Sequence, residues 1–193
     1  MIAIIDYFAG NVKSVENAVR KLGYETLITS NPTEIRNAEK VIFPGVGEAS
    51  TAMNYLKSLK LDELIPTLQQ PFLGICLGQQ LLCDFSEEGN TKCLGIFNLK
   101  VKQFPSTDIV PHMGWNNLQR IDGPLFNGIS EDDNFYFVHS YYCEIGENTT
   151  SECDYILPFS ATLRTDNFYG TQFHPEKSGD VGSLILQNFL KIK

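Results

Sequence analysis

Basic residues are scarce in this chain. Fifteen Lys and Arg stand against 23 Asp and Glu, leaving a net charge of −8 over 193 residues. No basic stripe exists to neutralise phosphates, which argues against nucleic-acid binding; a basic protein partner is permitted. No apolar run approaches the ~18 residues of a membrane span. The opening Met1-Ile2-Ala3-Ile4-Ile5-Asp6 has neither the basic flank nor the apolar length of a secretory signal, so no leader and no membrane contact are expected. The five cysteines (Cys76, Cys83, Cys93, Cys143, Cys153) are odd in number and never spaced C-x-x-C. A disulfide framework or zinc site is therefore disfavoured, and a reducing cytoplasm is the expected setting. No two of the three histidines have metal-ligand spacing on a helix, and no complete phosphate-loop pattern occurs, so neither metal nor cofactor is expected. Internal repeats, low-complexity tracts and linkers are missing too. One domain over residues 1–193 is the expectation, with ordinary globular composition at 42% hydrophobic and 20% charged residues.

What is present centres on residues 71–82. Pro71 to Ile75 is short and apolar, like a buried strand, and Gln79 to Leu82 reads as the opening of a helix. Between them Gly74-x-Cys76-x-Gly78 is a cysteine version of the strand-to-helix turn that raises a nucleophile above a sheet. The free N–H groups of the following helix favour a thiolate there. They, led by Leu77, could also stabilise an oxyanion on a carbonyl under attack. A lone cysteine is more commonly a small buried hydrophobe; the glycine spacing and the strand-helix context favour the nucleophile.

Along the chain, Ile2–Ile5 reads as a strand buried on both faces. Residues 6–11 form a loop, and Val12, Val15, Val19 and Leu22 recur at helical spacing until Gly23. Tyr24 to Thr29 alternates as a second strand, a short helix follows Asn31-Pro32, and Lys40 to Phe43 is a third strand. It runs into Pro44-Gly45-Val46-Gly47, then a helix from about Glu48. Met53 to Leu68 is helical with a break near Leu61. Strand and helix alternate to this point, which indicates βαβ units with a parallel sheet. Both the Val46 loop and the Cys76 turn then fall on the C-terminal edge of that sheet, where ligands bind in open α/β folds. After Cys83 come a polar loop, Ser86 to Asn90, and short strand-like runs at Leu99 to Phe104, Asn116 to Ile121, Phe135 to Glu144 and Tyr155 to Thr165, expected as antiparallel hairpins. Asn167 to Phe173 is a last strand and Val181 to Leu190 a last helix, with Leu184, Ile185, Asn188 and Phe189 on one face.

The last strand ends in His174-Pro175-Glu176. Residues i and i+2 of an extended segment point to the same side, so Glu176 can orient the His174 imidazole and stabilise its charged form. Cys, His and an orienting acid form a nucleophile–base–orienter set suited to attack on an amide or ester carbonyl. His112 and His139 stay open between structural hydrogen bonding and direct ligand contact. Trp115, the only tryptophan, is either core or an interface anchor.

The Gly74-Ile75-Cys76-Leu77-Gly78 turn and Phe173-His174-Pro175-Glu176-Lys177-Ser178 resemble the class I (triad) glutamine amidotransferases. Four further stretches narrow the resemblance to the glutaminase subunits of imidazole glycerol phosphate synthase: Asp6 to Val15, Pro44 to Gly47, Ser86 to Gly89, and Pro111-His112-Met113-Gly114-Trp115-Asn116. Phe8 and Gln79 depart from that pattern, which usually has Gly and Met there. The resemblance implies a flavodoxin-like α/β fold, a central mostly parallel mixed sheet with helices on both faces and a smaller antiparallel region in the C-terminal half. It implies Cys76 as nucleophile, His174 as general base and acid, Glu176 as orienter, and oxyanion donors from Leu77 and the Val46-Gly47 loop. Glutamine would be held by Gly45, Gln80, Ser140 and Tyr141. The implied partner is a separate cyclase subunit with a (β/α)₈ barrel, forming a heterodimer and docking against Asn11, Trp115, Tyr136 and Lys177. The rivals are a γ-glutamyl hydrolase acting alone, a glutaminase serving another synthase, and a flavodoxin-like binding module, for which Tyr7 to Gly10 is a poor phosphate loop.

Overall fold

The computed structural model describes residues 1–7 and 10–193, so the departure at Phe8 lies outside the described residues. In chain order the elements are strand β1 (Ile2–Ile5), helix α1 (Val12–Lys21), β2 (Thr26–Thr29), α2 (Pro32–Asn37), β3 (Lys40–Phe43), α3 (Ala49–Ser58), α4 (Leu61–Leu64), β4 (Phe72–Ile75), α5 (Leu77–Leu82), β5 (Cys83–Ser86), β6 (Thr91–Lys92), β7 (Phe97–Gln103), β8 (His112–Asn117), β9 (Asn134–His139), β10 (Tyr141–Cys143), β11 (Thr149–Asp154), β12 (Pro158–Thr165), β13 (Phe168–Thr171) and α6 (Gly179–Lys191).

Continuous apolar runs become the strands with both faces covered. β1, β3, β4 and β13 lie in the middle of the sheet and are buried almost throughout; β2 is partly exposed along one rim. Successive residues face opposite sides. Ala3, Ile5, Val41, Phe43 and Phe72 pack with residues of α3, α4 and α5. Ile4, Ile42, Leu73 and Ile75 pack with Val15 and Val19 of α1 and Ile185 and Phe189 of α6.

The strand order is β2-β1-β3-β4-β13-β12-β10-β7-β5-β6, with β11 on β12, while β8 and β9 make a separate two-stranded sheet. β2, β1, β3, β4 and β13 run parallel. From β13 onward the sheet turns largely antiparallel. The last strand in sequence thus inserts beside β4, with Gly170 opposite Gly74 and Thr171 opposite Ile75. This register brings the turn after β4 and the segment after β13 to one edge of the sheet.

Several strands differ from expectation. The run Phe135 to Glu144 is divided at Ser140, because β9 pairs with β8 and β10 crosses into the large sheet. The strand expected at Asn116 to Ile121 lies earlier, at His112–Asn117, with reversed polarity: Met113 and Trp115 are exposed and His112 is buried. β12 begins at Pro158 rather than Tyr155, and β5, β6 and β11 had no counterpart in the sequence reading. β11 hides its pattern because hydroxyls do the work of apolar groups. Thr149 bonds Ser160, and Thr150 and Ser151 bond Thr162, at 2.7–2.8 Å across the strand pair.

Candidate active site

Cys76 begins the turn out of β4 at φ 54° and ψ −110°, a conformation that non-glycine residues hold only when the surroundings enforce it. Its N–H donates to Thr171 O at 2.7 Å. The turn is tight enough that a Cβ at Gly78 would stand 2.0 Å from Phe43 O, and one at Gly74 2.7 Å from Gly78 O. The helix α5 therefore leaves the sheet edge at van der Waals contact with the end of β3. Gln79, where the resembling family usually has Met, is fully buried behind the turn. Its amide reaches Cys143 Sγ at 3.5 Å and Ser160 O at 3.4 Å.

His174 follows β13, and its own N–H is bound to Tyr136 O of β9. Its Nδ1 lies 2.9 Å from Glu176 Oε1, with both side chains fully buried. The carboxylate fixes the proton on Nδ1, which leaves Nε2 for Cys76. Burial opposes a charge on the imidazole, but Cys76 and Glu176 outweigh it and push His174 up to about 10. An imidazole raised above neutrality draws the shared proton onto the ring, where it can be handed to a leaving amine. Burial would raise Glu176 too, yet the hydrogen bond and charge of His174 and a hydrogen bond from Asn11 hold it below the usual carboxylate value.

Asn11, expected on a docking face, is instead buried, with Nδ2 donating to Glu176 Oε1 at 3.0 Å. The amide is drawn inward because a buried carboxylate needs a second donor. The other three residues of the expected face do adjoin one another at the surface. Trp115, 58% exposed, packs edge-on against Tyr136, and Lys177 Nζ lies over the Tyr136 ring at 5.9 Å.

Cys76 opens onto a cleft of about 350 Å³ lined by Val46, Gly47, Leu77, Gln80, Glu88, Pro111, Val138, His139, Ser140 and Tyr141. The expected oxyanion residues Val46, Gly47 and Leu77 are all there, as are Gln80, Ser140 and Tyr141. Gly45 is not: it is buried, and a Cβ there would stand 2.4 Å from Gly78 N and 2.7 Å from the Tyr7 hydroxyl, so it serves as a spacer under the loop. Tyr7 is raised above the ordinary phenol range by burial and by the Cys76 charge, against the pull of the Val46 N–H.

Two residues in the site escaped the sequence reading. Gln172 bonds Cys76 Sγ through Nε2 at 3.6 Å and accepts from Gln80 at 3.0 Å; its position two residues before His174 on an extended segment was the available signal. Glu88 is the one acidic side chain among the described cleft residues. It accepts from Ala49 N–H at 2.8 Å, and burial raises it.

A buried cysteine–imidazole–carboxylate line, a strained turn after a central parallel strand and adjacent backbone N–H groups together define a thiol acyl-transfer site. The family described as glutamine amidotransferase class-I matches residues 3–192, and the chain belongs to it. Solved structures share the fold: a glutamine amidotransferase superimposes with TM-score 0.77 at 16% identity, covering 99% of this chain and 98% of that one. PurLQS from Thermotoga maritima does so with TM-score 0.76 at 15% identity, covering 98% and 96%. Curated relatives narrow the family. Imidazole glycerol phosphate synthase subunit HisH of Bacteroides fragilis (strain YCH46) is 54% identical over 194 residues, with 99% of each chain covered. The subunit of the same name from Pasteurella multocida is 48% identical, covering 98% of this chain and 97% of its own. Within the class, the chain falls in the HisH family.

Glu176→Gln removes the charge that supports the imidazolium. Loss of that support lowers the His174 pKa, so the alkaline limb of the pH profile should move to lower pH, and turnover should drop about 10²–10⁴-fold. Steady-state rates measured from pH 6 to 10 check both, and an unmoved alkaline limb contradicts the assigned contact.

Proposed function

We propose that residues 1–193 act as one glutaminase domain, the ammonia-producing subunit of an imidazole glycerol phosphate synthase in histidine biosynthesis, working in the cytoplasm. The Cys76 sulfur attacks the side-chain amide carbon of glutamine. The resulting oxyanion is met by the Leu77 N–H and by an N–H of the Val46-Gly47 loop. His174 delivers its proton to the departing ammonia, leaving a γ-glutamyl thioester. The neutral imidazole then takes a proton from water, which attacks the thioester and releases glutamate. Gln80, Ser140 and Tyr141 hold the substrate, and Glu88 answers its α-ammonium.

The observation that carries this reading is the His174–Glu176 pair set beside Cys76 at one sheet edge. A glutamine-like diazoketone is expected to label Cys76 alone among the five cysteines, as peptide mapping would read. Labelling elsewhere, or none, overturns the assignment.

The ammonia passes to a separate cyclase subunit with a (β/α)₈ barrel, in a heterodimer. The product there is imidazole glycerol phosphate, with aminoimidazole carboxamide ribotide released. Trp115, Tyr136 and Lys177 supply the docking face; an exposed Trp and Met on one strand, beside a cation over an aromatic ring, have the composition of an interface anchor. The glycines flanking Val46, Gly47 of them at φ 110°, let the loop take more than one peptide orientation, which supports an oxyanion site completed only when the cyclase binds. Isolated subunit should therefore turn over glutamine slowly and accelerate about 10²–10³-fold when the cyclase binds, the scale of one oxyanion donor. Equal rates with and without cyclase would defeat that part of the proposal.

A further inference from the structure

Two histidines beside the catalytic line take no part in the chemistry described. His112 on β8 and His139 at the end of β9 are both buried. Their protonation can be deduced from the contacts. His139 Nδ1 lies 2.8 Å from Tyr141 O; a carbonyl only accepts, so Nδ1 carries hydrogen. Burial drives His139 down to about 3 and His112 down to about 4, so both rings are neutral. His139 Nε2 is then an acceptor and takes the hydrogen of His112 Nδ1 at 3.1 Å. His112 Nε2 in turn faces the Asn116 amide at 3.5 Å. The His112 ring is held between Tyr155, with centroids 4.0 Å apart, and Phe137 at 4.8 Å.

The Tyr141 carbonyl is the far end of this line, and it has a second donor in Gln80 Nε2 at 2.8 Å. Gln80 also donates to Gln172, which reaches the Cys76 sulfur. Donated hydrogens thus clamp one peptide from two sides. That peptide joins Tyr141 to Tyr142, at the point where the chain leaves the small sheet for the large one, and Ser140 and Tyr141 just before it line the cleft. The backbone holds the same segment along its other edge, where Phe104 N–H donates to Ser140 O at 3.0 Å and Tyr141 pairs with Gln103, while the side chains hold the Tyr141 carbonyl itself.

We infer that His139, oriented by His112, is a positioning residue for the substrate: it fixes the Tyr141 carbonyl and with it the cleft segment that receives glutamine. The inference rests on the reading of the cleft as the glutamine site. It assigns the imidazole pair to substrate placement, apart from activation of sulfur.

The test uses the complex with its cyclase and three variants. His139→Leu and His112→Phe break the line; the second keeps a ring between Tyr155 and Phe137. His139→Asn places an amide N–H where Nδ1 stood. Loss of one neutral hydrogen bond along this line should raise KM for glutamine about tenfold in His139→Leu and His112→Phe, with kcat within about threefold. His139→Asn should restore KM to near the parent value. Alkylation of Cys76 by iodoacetamide, which needs no glutamine site, should proceed at the parent rate in the two histidine-line breakers. An unchanged KM in folded His139→Leu overturns the inference, and so does a fall in kcat and alkylation rate at constant KM. If His139→Leu does not fold, His112→Phe decides by the same criteria. Failure of the parent itself to react with the glutamine-like diazoketone would instead refute the glutamine reading.

Discussion

Cys76→Ala should abolish glutamine hydrolysis and leave the fold standing. Removing the nucleophile of a triad costs about 10⁶ in turnover, because the remaining groups have no covalent intermediate to serve. The structural cost is small. Among the described residues the sulfur's hydrogen-bonding contacts are long, 3.6 Å from Gln172 Nε2 and 3.9 Å to Val138 O, and neither is a strong hydrogen bond. The backbone conformation of the turn adds a second arm. At φ 54° and ψ −110° any Cβ is strained, by about 1–3 kcal/mol. Cys76→Gly relieves that strain against a glycine entropy cost of about 0.5–1 kcal/mol. It should therefore be as inactive as Cys76→Ala yet unfold at equal or higher denaturant concentration. Glutaminase assays with chemical denaturation of both variants check the pair; residual parent-like turnover in either removes Cys76 from the mechanism.

Gly78→Ala should damage the molecule in the opposite way, through the fold first. The added methyl would sit 2.0 Å from Phe43 O, and backbone at the end of a central strand has no room to retreat. Overpacking of this kind costs about 3 kcal/mol or more, equivalent to roughly 6–12 °C in Tm for a chain of this size. Gly23→Ala is the control: Gly23 has φ 88° with nothing within 4 Å of a new Cβ, so it should lose only about 1–2 kcal/mol, the strain of its backbone alone. Comparable losses in the two variants would mean that α5 and β3 separate more readily than their contact implies.

The parts of this molecule that announced themselves in sequence were those where one physical demand dominates. β1, β3 and β4 are covered on both faces and so are written as unbroken apolar runs; the Cys76 turn requires glycine on both sides; His174 and Glu176 share a face through simple alternation. The parts that stayed hidden answer to partners far along the chain. β11 is built from hydroxyl pairs with β12 and carries no apolar alternation. β8 turns its apolar residues outward, which reads as irregular until the neighbouring sheet is known. Asn11 looked like a surface residue because nothing local reveals a buried carboxylate 165 positions away. The pairing of His112 with His139 stayed hidden for the same reason: a hydrogen bond leaves no periodicity.

Placing β13 between β4 and β12 has a consequence for biosynthesis. The strand that leads to His174 is the last of thirteen among the described residues, yet it occupies the interior of the sheet. A polypeptide emerging from the ribosome holds its thiol for about a hundred residues of elongation before the matching base exists. On the proposed mechanism, a polypeptide that stops short of β13 lacks an interior strand of the sheet together with the imidazole set beside the sulfur, so folding of the sheet and onset of glutamine cleavage should come together.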